Sequence, residues 1–198
     1  MNKVIALLVG LFCSQALIAA EANPQQQIRE TANLVLNSIK THGDAYRSDP
    51  GKLFALVDEV VLPHFDFDEM TDLALGKYRK KVSAEQKPLI VAEFRNLLVR
   101  TYGMALLEFN DRAITYLPFD GQLASGDVIV KTQIEQSSGP PIQLDYRIKQ
   151  GDQGWKVYDI SVDQISLVTN YRSSFARQIK KNGVDGLIAV LRERNQAQ

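Results

Sequence analysis

In the first half of the chain, apolar residues recur every three or four positions. Ile28, Ala32, Val35, Leu36 and Ile39 fall on one face of a predicted helix, and Thr41-His42-Gly43 is read as its end. Asp49-Pro50 has the form of an N-cap followed by a first-turn proline. It opens a second helix through GKLFALVDEVVL, which Pro63 stops. In FDFDEMTDLALG, Asp66 and Glu69 have capping-box spacing and Gly76 suits a C-terminal stop. Ser83 and Gln86 form a second box that opens the longest predicted helix, about Ala84 to Phe109. Its apolar stripe runs Val91, Phe94, Leu98, Tyr102, Ala105, Phe109, widened by Leu97, Met104 and Leu107.

From Ile114 the period changes from about four to two. Ile114–Phe119 and Val128–Glu135 read as strands. In PIQLDYRIK the alternation is clean: Ile142, Leu144, Tyr146 and Ile148 face one way, and Gln143, Asp145, Arg147 and Lys149 the other. Trp155–Val162 makes a fourth strand, and the glycine and proline clusters between strands predict an antiparallel meander. Two helices follow, Leu167–Lys181 and about Val184–Arg194, separated by Gly183. The class is therefore α+β: N-terminal helices, a four-stranded antiparallel sheet, then C-terminal helices.

Composition changes this picture only at the start of the chain. Lys3, the apolar run Ala6–Ala20 and the small residues Ala20-Glu21-Ala22 have the layout of a signal peptide cleaved near Ala22. Gly10, Ser14 and Gln15 interrupt a run that is already short for a membrane span. The lone cysteine, Cys13, lies inside this leader, so no disulfide framework is expected in residues 23–198. That segment is expected to form one exported domain. The formal net charge of +0 gives no sign of a nucleic-acid partner.

Candidate chemistry is sparse. His42 and His64 are the two histidines, and neither belongs to a nucleophile or zinc motif. Asp66, Asp68, Glu69 and Asp72 lack the alternate spacing and central glycine of a calcium loop, and their position suits helix capping. Asp159 lies within a strand, where a carboxylate needs a partner; Arg147 on the preceding strand is one candidate. What remains is apolar surface, and its pattern fits a filled core and a lined pocket equally.

Five segments in order close the reading: Leu62–Lys87, the stretch FRNLLVRTYGMALLEF, the strand LDYRI, the strand WKVYDISV and Ile165–Leu191. Together they resemble the MlaC or toluene-tolerance family of periplasmic phospholipid-binding proteins. One departure is Asp163-Gln164, where that family is expected to carry a glycine. The resemblance implies a curved sheet and helices enclosing an apolar pocket for the acyl chains of a diacyl phospholipid. It further implies a monomeric periplasmic carrier without cofactor, metal or catalytic residues. Its implied partners are an inner-membrane ABC transporter with an MCE-domain subunit and an outer-membrane lipoprotein–porin complex. On that footing the expected lipid-binding residues are Leu98, Tyr102, Leu106, Leu144, Tyr146, Val157, Ile160, Leu167, Tyr171 and Phe175, with Arg147 and Arg172 meeting the phosphate. Alternative readings are a carrier of another apolar cargo, a periplasmic enzyme on a cone-shaped α+β fold, and an adaptor with a solid core.

Overall fold

The computed structural model describes residues 23–109, 111–119 and 122–197, so the proposed leader and its cleavage site lie outside the described residues. Helix α1 spans Pro24–Ser48 and is capped by the Asn23 side chain, which accepts from the Gln25 and Gln26 amides. The expected break at Thr41-His42-Gly43 is absent. Gly43 is buried within α1, and the Thr41 hydroxyl returns to the Asn37 carbonyl. Termination waits for Ser48, because Asp49 accepts from the Gly51 amide and starts α2, Pro50–Leu56.

Helix α2 does not continue in α form. It widens into a π-helical turn at Val57–Val61 and tightens into a 3₁₀ turn at Leu62–His64. The chain then runs alongside the sheet: Phe65 bridges Val157, and the Asp66 amide donates to the Val157 carbonyl. Helix α3, Phe67–Leu75, is capped by Asp66, whose carboxylate accepts from the Glu69 amide, and it passes into a 3₁₀ helix at Gly76–Lys81. The Ser83–Gln86 box forms with both of its reciprocal bonds. Helix α4 is Gln86–Gly103, and the predicted helix finishes as a 3₁₀ segment, Met104–Phe109.

The sheet is antiparallel and ordered β1 to β5: Ile114–Tyr116, Asp127–Ile134, Ile142–Gly151, Gly154–Val162 and Ile165–Ser166. Among the described residues it therefore has five strands rather than four. The additional strand is a two-residue return made by the Asp163-Gln164 turn, both of whose residues have positive φ (46° and 69°). The register shifts between Arg147 and Ile148, so that β4 accommodates Tyr158 as an extra residue. Beyond that bulge Tyr146 faces Ile160 and Leu144 faces Val162.

Helix α5, Leu167–Ala197, bends at Gly183, where φ 71° and ψ −174° suit glycine alone. The bend returns the chain to α4, where Asn195 Nδ2 donates to the Glu93 carbonyl at 3.0 Å. Three apolar clusters result. One joins α3, α4 and α5 around Phe94 and Phe175; another joins the sheet to Ile28; the third joins α1 and α2 to Leu107.

Candidate functional site

The three clusters do not close fully against one another. An apolar cleft of ≈ 170 Å³ remains where they meet. One wall is the irregular end of α2, through Val57, Val61 and Leu62. Phe65, Phe67 and Met70 continue it into α3, and Leu98, Val99, Tyr102, Gly103 and Leu106 of α4 and its 3₁₀ tail stand opposite. Ile160 of β4 and Leu167 of α5 complete the lining. A roomier polar hollow of ≈ 280 Å³ beside Ile39–Arg47 is made by one helix alone and encloses nothing.

Irregular backbone shapes this lining. A π turn carries one more residue than an α turn, which re-aims the side chains that follow it. Val57 opens this turn and Val61 closes it, and both line the cleft. On the other wall, a Cβ on Gly103 would sit 3.1 Å from a ring carbon of Phe54. Glycine lets α2 and α4 approach there, while Tyr102, 39% exposed, stands at the solvent side.

Five of the expected residues line the cleft: Leu98, Tyr102, Leu106, Ile160 and Leu167. Tyr171 and Phe175 pack behind it, edge-on to Phe94 at 5.1 Å each. Val157 is fully buried in the sheet cluster, and Tyr146 packs against that cluster. Leu144 is half-buried further along the strand. Arg147 alternates away from Tyr146 and Ile148, and its guanidinium lies 4.8 Å from the Tyr158 ring. Arg172 donates from Nε to the Leu73 carbonyl at 2.8 Å. Neither arginine lines the cleft.

The sequence reading missed Val57, Val61, Leu62, Phe65, Phe67, Met70, Val99 and Gly103. The signal for one of them was present: a glycine inside a helical pattern, on the apolar side, marks a close approach. A π turn leaves no comparable trace in a 3.6-residue period.

Electrostatics keep the surroundings of the cleft neutral. Burial pushes the Tyr171 hydroxyl up to about 12, aided by the neighbouring Tyr102 and opposed by a hydrogen bond with Thr101. Burial likewise takes Tyr146 to about 12, against a hydrogen bond with Thr132. His64 is held below its usual value by burial and by the Lys156 ammonium, so it is neutral at pH 7. Asp159 is buried and fully engaged. Its carboxylate accepts from the Ser166 hydroxyl at 2.6 Å and from the Val168 amide at 3.3 Å. Ser166 in turn caps α5 by accepting from the Thr169 amide. The Arg147–Asp159 pairing considered from the sequence is a ladder position only, since the guanidinium goes to Tyr158. Among the described residues there is no cluster of histidine, cysteine, aspartate and glutamate able to hold a metal ion.

The family model for MlaC protein matches residues 29–193. The toluene tolerance protein ttg2D of Pseudomonas putida is 28% identical over 183 residues, which cover 90% of this chain and 83% of that protein. The intermembrane phospholipid transport system binding protein MlaC of Haemophilus influenzae is 24% identical over 194 residues, covering 96% and 90%. A solved phospholipid-binding protein of Ralstonia solanacearum, in complex with a phospholipid, superposes with a TM-score of 0.82 at 35% identity. That superposition covers 89% of this chain and 98% of the other.

Proposed function

The chain belongs to the MlaC family, and from that premise we propose that it is a periplasmic carrier of diacyl phospholipid, without catalytic activity of its own. The observation that carries the reading is the apolar cleft between sheet and helices, in a fold shared with a protein solved around a phospholipid. Acyl tails occupy the cleft between Leu98, Leu106, Ile160 and Leu167, and Tyr102 meets the glycerol region at the solvent side. The partners that load and unload it are an outer-membrane lipoprotein–porin complex and an inner-membrane ABC transporter with an MCE-domain subunit.

The energetics suit such a carrier. Each buried methylene is worth roughly 0.8 kcal/mol, so two long tails resist release into water by on the order of 20 kcal/mol. Against a bilayer interior, equally apolar, the difference nearly vanishes. Transfer therefore needs docking, and its direction comes from the partners. At ≈ 170 Å³ the cleft is smaller than the roughly 300–1,000 Å³ of drug-sized pockets, so loading widens it. An enzyme reading based on Asp159 is disfavoured because its two carboxylate oxygens already accept from the Ser166 hydroxyl and the Val168 amide.

Native mass spectrometry of protein taken from a Gram-negative periplasm, with lipid extraction of the same sample, tests this proposal. The expected result is a mass increment of one diacyl phospholipid. A protein that stays empty after incubation with phospholipid vesicles overturns it.

A further inference from the structure

The chain is neutral overall, but its charge is segregated. Leu73–Ala84 contains four cations and no acid, and Gln164–Val184 also contains four cations and no acid. The remainder holds fifteen lysines and arginines against all twenty-three aspartates and glutamates. The fold then brings the two acid-free segments together. The 3₁₀ helix Gly76–Lys81 packs on α5, so closely that a Cβ on Gly76 would lie 3.3 Å from the Arg172 side chain.

Lys77, Arg79, Lys80 and Lys81 are exposed on the 3₁₀ helix, and Arg172, Arg177, Lys180 and Lys181 on α5. Among the described residues none of the eight forms an ion pair with a carboxylate. Tyr78 sits among them, with the Lys77 and Lys81 ammonium groups 5.4 and 5.7 Å from its ring. The surface begins at Arg172, five residues or about 7.5 Å along the helix from cleft-lining Leu167.

We propose that this basic surface docks the protein onto a bilayer bearing anionic headgroups, with the cleft held beside the membrane. Five of the eight cations are lysines. Their compact, hydrated charges suit a diffuse negative potential better than bidentate recognition of particular carboxylates, which favours arginine. Near an anionic leaflet each such cation contributes roughly a fivefold gain in partitioning, lost as salt shortens the screening length. The docking proposal extends the carrier reading, but the two can fail separately.

Co-sedimentation of the full mature protein with phosphatidylcholine vesicles, and with phosphatidylcholine–phosphatidylglycerol vesicles, tests it. Binding is expected only to the second, and is expected to disappear at high salt. The variant Lys77→Glu/Lys80→Glu/Lys81→Glu should lose at least tenfold in binding, as should Lys180→Glu/Lys181→Glu. Both should retain the far-UV circular dichroism of the parent and its bound lipid in native mass spectra. Failure of the parent to sediment with anionic vesicles overturns the proposal, as does equal binding by folded variants. In the first case an acidic protein surface becomes the preferred occupant. An empty parent that still binds anionic vesicles sinks the carrier reading and leaves the docking surface standing.

Discussion

At the scale of single residues, Val157 and Leu106 separate stability from cargo. Both were expected to line a pocket, yet Val157 is 0% exposed within the sheet cluster, whereas half-buried Leu106 borders the cleft. A carboxylate at Val157 has neither water nor a partner, and its burial costs several kcal/mol. Val157→Glu is therefore expected to abolish cooperative thermal unfolding. Leu106→Glu places its charge at the cleft, where water reaches it in the empty protein but tails would desolvate it. It should melt within a few degrees of the delipidated parent and purify without lipid. Circular dichroism melts and native mass spectra of both variants check this pair. Lipid at parental occupancy in Leu106→Glu sinks the assignment of the cleft to acyl tails.

At the scale of elements, the sequence was legible wherever a local rule acts alone. The reciprocal Ser83–Gln86 box and the Asp49-Pro50 helix start appear as their spacing predicts, whereas β3 alternates only from Tyr146 to Lys149, Ile142–Asp145 being half-buried throughout. It was not legible where tertiary contact overrides the rule. Thr41-His42-Gly43 reads as a break, but α1 continues because Ile39 and Tyr46 bury into one cluster on either side of it. Asp159 is the same lesson in a strand. It reads as a lone carboxylate in need of a partner, and the partner is the start of α5. Two bonds to a buried carboxylate, one from an amide and one from a hydroxyl, make Asp159→Asn expected to destabilise by about 1–2 kcal/mol. Lipid occupancy of the folded fraction should be unchanged. Chemical denaturation alongside native mass spectrometry measures both. A variant as stable as the parent contradicts the capping role, and a loss of turnover on any ester substrate would revive the enzyme reading.

At the scale of the whole molecule, the cleft lies between three cores rather than inside one, and this is why the sequence did not show it. A residue facing a neighbour and a residue facing a gap have the same period and the same polarity. Only the summed fit of α2, α4, α5 and β4 decides which is which. The same arrangement determines how the cleft can widen. The clusters around Phe94 and Phe175, and around Ile148 and Val157, are closely packed and resist deformation. The π turn Val57–Val61 and the 3₁₀ segments Leu62–His64 and Met104–Phe109 form the remaining wall, with poorer backbone bonding. Movement of that wall away from Ile160 and Leu167 enlarges the cleft without breaking either core. Delipidated protein should then exchange amide hydrogens faster over 57–64 and 104–109 than loaded protein, with α3 and β2–β4 little changed. It should also melt at lower temperature, because a ligand that binds only the folded state adds its binding free energy to stability. Hydrogen exchange read by mass spectrometry on the two forms decides the matter. Uniform protection across both forms, or loosening centred on the sheet, would show that the tails enter by another route.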